Sequence, residues 1–253
     1  MVGESILRDA PHVDLLRYFA PVPIDRGRLI VTVSGGSGYH GRRHFELAER
    51  LSSRGYHCVM VNPRDRDAAA NTTVATRHLS EVVRIAVEHT QAARVGIYGR
   101  CGGGRLTLLY LRDCPVNPVN SVLFWGMPGR FSQLDLVEIS ERMRKAGYQI
   151  AEDQIDRTDA IDIVNGLRVP TLICGGLEDH TSFLPRGDVE PQVTLLQRLL
   201  RARQIPHLSL SVFRGAPHAI DDMEQSTFEA FWKTMLNWFD LTLDAQQSAA
   251  SEG

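Results

Sequence analysis

The sequence predicts an α/β domain in which a mostly parallel central sheet is flanked by helices. Short β-branched, apolar runs alternate along the chain with longer amphipathic segments. The apolar runs contain few polar residues, which is typical of strands that helices cover on both faces. With 253 residues, of which 43% are hydrophobic, the chain is long enough to bury a sizeable core within one such domain.

The predicted strands and helices follow one another along the chain, as parallel βαβ connections require. The predicted strands cover residues 29–34, 58–62, 95–98, 121–125, 171–174 and 208–213. The predicted helices cover residues 44–54, 76–90, 103–112, 191–202 and 223–241.

One connection, at about 128–168, is longer than the others and contains two predicted helices, 131–146 and 152–166. Both are rich in charged residues and carry only a thin apolar stripe. A helical insertion beyond the strand ends is typical of a short lid, with an ordinary crossover as the alternative.

The remaining boundaries define one main domain. Residues 28–242 form the α/β domain, and residues 1–27 are an N-terminal arm or the first strands. The last residues, 243–253, are mostly small and polar, so we expect a disordered tail.

Charge and composition argue against several classes of protein. The formal net charge is -2, which disfavours nucleic acid and anionic membranes as partners. No apolar run reaches the ~20 residues of a membrane helix, and the N-terminus lacks the pattern of a secretory signal. The four cysteines have no paired metal-ligand spacing, and no nucleotide-binding motif is present. We therefore expect a cytoplasmic protein with reduced thiols, no metal and no cofactor.

The stretch VGIYGRCGGGRLTLLYL places Cys101 between a predicted strand and a predicted helix. A Gly-x-Cys-x-Gly turn in this context is typical of a nucleophile elbow, where glycines relieve crowding around a strained nucleophile. The Gly102 amide would face a developing oxyanion, and the positive helix end would favour the thiolate. Two alternatives are a phosphate-binding glycine loop, although the Walker lysine is missing, and a buried, inert cysteine.

Two later stretches complete a pattern that begins at Cys101. VPTLICGGLEDH is a strand followed by Gly-x-x-Asp, ending on Asp179, and FRGAPHAID is a strand followed by Gly-x-x-His, ending on His218. In this order, the three stretches resemble the α/β-hydrolase fold family over roughly 29–239. The resemblance implies Cys101 as nucleophile, His218 as proton carrier and Asp179 as the group that orients the imidazole. The rival acid and histidine are Glu178 and His180.

The cysteine departs from the serine that most of this family carries. Dienelactone hydrolase resembles the chain in its Gly-x-Cys-x-Gly elbow, and α/β-hydrolase-like Dieckmann cyclases also use a cysteine. Those cyclases place the acid after the strand that precedes the lid. Here that position reads Gly126-Met127-Pro128, with no carboxylate.

The loop after the first predicted strand, in VTVSGGSGYHGRR, is rich in glycine. The resemblance implies that the amide of Gly36 or Ser37 joins Gly102 in the oxyanion hole, with a simple flexible turn as the alternative. An arginine beside the nucleophile would bind a substrate carboxylate, unless it is solvated or paired with an acid. Apolar residues at a strand end line a pocket or belong to the core. The candidate substrate-binding residues are Arg100, Tyr39, Trp125 and Met127.

Three functions fit these residues. The first is a hydrolase of esters, lactones or thioesters that works through an acyl-Cys101 intermediate. The second is an acyltransferase or Dieckmann-type cyclase that releases a thioester-bound chain from a carrier protein or coenzyme A. The third is a hydrolase fold that serves as a ligand receptor, against which the complete set of three groups argues. The expected partner is a small-molecule acyl substrate, alone or bound to a carrier protein, and a homodimer is an alternative to the monomer.

Overall fold

The structure is a computed structural model that describes residues 4–7, 15–35, 41–62, 72–127, 156, 158–179 and 207–244. Eight strands within these residues form one sheet. They are β1 (Glu4–Leu7), β2 (Leu15–Phe19), β3 (Arg28–Val33), β4 (Tyr56–Asn62), β5 (Arg94–Arg100), β6 (Val119–Trp125), β7 (Thr171–Gly176) and β8 (Leu208–Phe213).

The strand order across the sheet is β1-β2-β4-β3-β5-β6-β7-β8. β2 pairs antiparallel with both β1 and β4, whereas every other pair is parallel. The prediction of a mostly parallel sheet is confirmed. The N-terminal residues, whose structure the sequence left open, supply the two antiparallel strands at one edge.

Helices cover both faces of this sheet, and those described are α1 (Arg42–Ser52), α2 (Thr72–Thr90), α3 (Gly102–Asp113), α4 (Ala160–Val164) and α5 (Gln225–Asp244). One apolar core lies under α2, α3 and α4, and a second lies under α1 and α5. Neighbouring strand residues feed opposite cores, so Ile97 joins the first and Tyr98 the second. Among the described helices, none combines the length and apolar character needed to cross a membrane.

The predicted helix 152–166 is wrong at its N-terminal end. The helix present there, α4, begins only at Ala160. Before it, the Asp156 side chain accepts a hydrogen bond of 2.7 Å from the backbone N–H of Thr158, a local turn that competes with helix formation. The predicted helices 131–146 and 191–202, the insertion up to residue 155 and residues 245–253 of the predicted tail lie outside the described residues. The first two residues of that tail, Leu243 and Asp244, belong to α5, and Leu243 is buried, so the prediction of disorder is wrong there.

The parallel arrangement determines where polar side chains can gather. The carboxyl ends of parallel strands meet at one edge of a sheet, which is where α/β proteins place their ligand sites. Cys101 follows β5, Gly126 follows β6, Asp179 follows β7 and His218 follows β8. The four residues therefore come to the same edge from distant parts of the chain.

Candidate active site

Cys101 lies in a strained turn between β5 and α3. Its backbone has φ 51° and ψ -125°, in a region that non-glycine residues rarely adopt. Hydrogen bonds hold the turn on both sides: Cys101 N–H donates to the Trp125 carbonyl at 2.9 Å, and Gly104 N–H donates to the Cys101 carbonyl at 3.1 Å. Such strain persists only where the surroundings impose it, and it is concentrated at functional sites.

Two glycines beside Cys101 allow α3 to approach the sheet closely. A Cβ atom on Gly103 would lie 2.3 Å from the carbonyl oxygen of Val33, and one on Gly99 would lie 2.7 Å from the Cα of Gly104. Neither position can hold a side chain without backbone movement. The Gly-x-Cys-x-Gly pattern is therefore a packing requirement of this turn as well as a sequence signature.

Asp179 and His218 form a hydrogen-bonded pair next to this turn. His218 Nδ1 lies 3.0 Å from Asp179 Oδ1 and 3.1 Å from Asp179 Oδ2. The Asp179 side chain has no exposed surface, and the His218 side chain is 24% exposed. The Cys101 sulfur lies close enough to His218 to raise the pKa of the imidazole, and since Nδ1 faces the carboxylate, Nε2 is the nitrogen left for the sulfur. Cys101, His218 and Asp179 thus lie in one chain of contacts.

The electrostatic interactions among these three side chains favour a charged imidazole. Burial by itself lowers the pKa of His218, but its hydrogen bonds and its charge interactions with Asp179 and Cys101 outweigh burial and raise the pKa to about 9. At neutral pH His218 is therefore protonated, with one N–H directed at a carboxylate and the other at the sulfur.

Gly126 makes room for the Asp179–His218 pair. This role of Gly126 was not predicted from the sequence. It has φ +55°, and a Cβ atom there would lie 3.0 Å from both Asp179 Oδ2 and His218 Nδ1. Beside it, the Trp125 indole N–H donates to the His218 carbonyl at 3.0 Å. The only signal in the sequence was a glycine directly after a predicted strand.

The backbone amide of Gly102, the predicted oxyanion-hole donor, lies at the start of α3 directly after Cys101. As the first residue of α3, its N–H has no helical acceptor. The loop after β3 lies directly against it, since a Cβ atom on Gly35 would lie 2.4 Å from the Gly102 nitrogen and 3.1 Å from the Cys101 Cβ. The predicted second donors, Gly36 and Ser37, lie outside the described residues.

The predicted substrate-binding residues contact other parts of the protein. Arg100 Nη1 lies 3.3 Å from His44 Nε2. Trp125 is fully buried in the second core, where its ring meets Phe231 at 4.7 Å between centroids. Met127 is buried over Gly104. Their binding roles stay predictions, and Tyr39 lies outside the described residues, as does His180. The rival acid, Glu178, is exposed.

The architecture of the described residues is shared with several known enzymes. A dienelactone hydrolase from Anabaena variabilis superposes with a TM-score of 0.65 at 17% identity, over 96% of this chain and 99% of that one. An S-formylglutathione hydrolase from Agrobacterium tumefaciens superposes with a TM-score of 0.66 at 18% identity, over 95% of each chain. Esterase B from Lactobacillus rhamnosis superposes with a TM-score of 0.69 at 17% identity, over 99% of this chain and 89% of that one.

This chain has the α/β-hydrolase fold. The fold that the strand-end motifs predicted is therefore confirmed. Comparison of the sequence with protein-family models finds no match, and neither does comparison with curated proteins. In an α/β-hydrolase fold, the nucleophile, acid and histidine come in that chain order, each after a strand. Here Cys101 follows β5, Asp179 follows β7 and His218 follows β8.

Proposed function

We propose that the protein is a cysteine-dependent acyl hydrolase that acts on an ester, lactone or thioester through an acyl-Cys101 intermediate. The observation that supports the proposal is the position of His218, whose imidazole hydrogen-bonds the buried carboxylate of Asp179 and interacts electrostatically with the sulfur of Cys101. A nucleophile, a base in contact with it and a third group that orients the base are the elements of nucleophilic catalysis.

In the acylation half, the Cys101 thiolate attacks the substrate carbonyl carbon and forms a carbon–sulfur bond. The carbonyl oxygen becomes an oxyanion that the Gly102 N–H stabilises, an interaction worth roughly 3 kcal/mol per donor. The intermediate then collapses, the bond to the leaving group breaks, and protonated His218 gives its Nε2 proton to the departing alkoxide or thiolate. The products of this half are the free alcohol or thiol and an acyl thioester on Cys101.

In the deacylation half, water attacks the thioester carbonyl and His218 accepts one of its protons. The acylated sulfur carries no charge and accepts no proton, so the contribution of Cys101 to the raised pKa of His218 is absent at this stage. The pKa of the imidazole falls towards the value set by burial and Asp179, and the neutral base becomes accessible. Collapse of the second intermediate releases the carboxylic acid and restores the thiolate beside a protonated His218.

The substrate class is a small acyl compound, and the compartment that we propose is the cytoplasm. The four cysteines of the chain are all free, and Cys58 and Cys174 are buried. Free thiols, one of them in the proposed nucleophilic position, suit a reducing environment.

The proposal is tested by turnover of a substrate panel made of p-nitrophenyl esters, lactones and acyl N-acetylcysteamine thioesters. Wild type is compared with Cys101→Ala and with Cys114→Ala, a matched control because Cys114 is also free and partly exposed. We expect turnover to free acid in wild type and Cys114→Ala, with a loss of at least about 1000-fold in Cys101→Ala. Release of a cyclised or transferred product would instead indicate a cyclase or transferase. Equal turnover by Cys101→Ala would overturn the proposal.

A further inference from the structure

A second carboxylate lies close to the candidate site, on the segment that carries His218. Asp221 belongs to the short 3-10 turn Ile220–Asp222. Its Oδ1 accepts a hydrogen bond of 3.0 Å from the backbone N–H of Arg43, in the first turn of α1. The N-cap residue of α1 is Gly41, which has no side chain for this purpose. Asp221 therefore caps α1 from a distant part of the chain, where the positive helix end favours an anion.

The other oxygen of Asp221 begins a chain of contacts that runs through the buried His44 to the nucleophile turn. Asp221 Oδ2 lies 3.6 Å from His44 Nδ1, and His44 Nε2 lies 3.3 Å from Arg100 Nη1. Because a guanidinium can only donate, His44 Nε2 accepts, which leaves the imidazole proton on Nδ1, facing the carboxylate. We call Asp221, His44 and Arg100 the Asp221 strut.

The carboxylate of Asp221 lies directly against Gly41. A Cβ atom on Gly41 would lie 1.6 Å from Asp221 Oδ2 and 1.9 Å from its Cγ. Gly41 has φ -62°, which alanine adopts without strain. A methyl group at position 41 would therefore act on the protein mainly by displacing Asp221.

We propose that the Asp221 strut positions His218 relative to Cys101. The strut joins three segments: the turn after His218, the start of α1 and the last residue of β5, to which Cys101 is directly linked. His44, in the middle of the strut, is 5% exposed, and the Asp221 side chain at its end is 30% exposed, so the central contact is largely shielded from water. Asp221 and His44 act here as positioning residues, because they reach the reacting groups only through the segments that they hold.

This assignment deepens the proposed function and rests on it for its catalytic meaning. A test therefore needs one readout that requires no substrate. Alkylation of Cys101 by iodoacetamide, followed by intact-protein mass spectrometry, reports whether His218 still activates the sulfur. His218→Ala defines the alkylation rate expected when that activation is lost. Hydrolysis kinetics give kcat and KM for the same variants.

The variants are Asp221→Ala, His44→Gln, Gly41→Ala and the double variant Asp221→Ala/Gly41→Ala. The control is Arg50→Gln, which removes the contacts of 2.6 Å that Arg50 makes with Glu46 within α1 and with Glu229 of α5, on a part of the same helix away from the strut. Thermal unfolding shows which variants are folded under assay conditions, and rates are expressed per folded protein.

We expect kcat and the alkylation rate to fall by on the order of 10–100-fold in each single strut variant, with KM changed by less than about twofold. Arg50→Gln lowers the melting temperature and leaves both rates unchanged. In the double variant the methyl group at position 41 has no carboxylate to displace. We therefore expect kcat and the alkylation rate of the double variant to be no lower than those of Asp221→Ala.

Wild-type rates in folded strut variants would overturn the assignment. So would multiplicative losses in the double variant, or an equal loss in Arg50→Gln, since either result would indicate general destabilisation. If Asp221→Ala does not fold, the rates of Gly41→Ala and His44→Gln are compared with those of wild type and Arg50→Gln instead. Cys101 alkylation could be slower in these variants while wild type turns over no acyl substrate. That result would support the positioning role of the strut and refute the proposed hydrolase activity.

Discussion

Asp179 Oδ1 lies 3.0 Å from His218 Nδ1, although the two residues follow different strands of the sheet. The carboxylate is completely buried, and the imidazole is mostly so. A carboxylate buried next to an imidazole stabilises its cation and fixes which ring nitrogen faces outward. In this protein the outward nitrogen meets Cys101, and the predictions below follow from that relationship.

The pH dependence of acylation should report the raised pKa of His218. With a pKa of about 9, the imidazolium that protonates the leaving group persists well above the ordinary value of 6.5. We expect the single-turnover acylation rate to stay level from about pH 7 to about pH 8 and to fall as pH rises through about 9. A fall centred near the ordinary histidine value would contradict the proposed pairing.

The same pKa shift makes a prediction about stability. Because the folded-state pKa lies above the unfolded-state value, the pairing stabilises the fold fully below pH 6.5 and this contribution is lost as pH rises through about 9. His218→Ala should therefore lose more stability relative to wild type at about pH 6 than at about pH 10. Urea unfolding at the two pH values measures the difference, and an equal loss at both would refute this linkage.

Asp179→Asn should lower both the pKa of His218 and the activity. The variant keeps the shape of the side chain but removes its charge, and with it the Asp179 interactions that raise the pKa of His218. We expect kcat/KM to fall by at least about 100-fold, with the titration of His218 followed by NMR. Glu178→Gln is the matched control, since Glu178 is the exposed neighbour. A larger loss of activity in Glu178→Gln than in Asp179→Asn would show that Glu178, and not Asp179, is the acid.

Gly126→Ala should separate the Asp179–His218 pair. The new Cβ atom would lie 3.0 Å from an atom of each partner, in a backbone conformation with φ +55°. We expect a loss of activity of about tenfold or more, together with roughly 1–2 kcal/mol of stability. Gly27→Ala is the control: it has φ +63° and no atom within 4 Å of a new Cβ. It should show the stability cost alone, so equal activity losses in both variants would contradict this explanation.

Gly35→Ala should obstruct the oxyanion site. Its Cβ atom would lie 2.4 Å from the Gly102 nitrogen, which is the donor proposed to stabilise the oxyanion. We expect kcat to fall by about 100-fold while the protein still folds. Gly166→Ala, where the nearest atom would be 3.5 Å from the new Cβ, should retain wild-type kcat. A wild-type kcat in Gly35→Ala would show that the Gly102 N–H does not stabilise the oxyanion.

The parallel strands and the candidate site were predictable from the sequence for the same reason. Strands covered on both faces are apolar runs with sharp ends, so the residues that follow them can be placed along the chain. Cys101 and Asp179 each follow such a run, His218 follows the edge strand β8, and a parallel sheet brings strand ends together. β1 and β2 were only one of two alternatives for residues 1–27, because short antiparallel strands lack that continuous apolar pattern.

The strut and the role of Gly126 could not be predicted. The hydrogen bond between Arg43 and Asp221 joins residues separated by 178 positions, and contacts of this range leave no local pattern. Gly126 looked like the missing position for an acid, whereas in the folded protein its small size accommodates the acid supplied by Asp179. Long-range pairing of polar residues depends on three-dimensional packing rather than on sequence period.

The most direct test of the account is to trap the acyl-enzyme. Wild type is mixed with a short-chain acyl N-acetylcysteamine thioester and acid-quenched, then measured by intact-protein and peptide mass spectrometry. The account predicts one added acyl group on the peptide that contains Cys101, which decays with release of the free acid. The adduct should be absent in Cys101→Ala and present in Cys114→Ala. Turnover without an adduct, or an adduct on any other residue, would contradict the central claim.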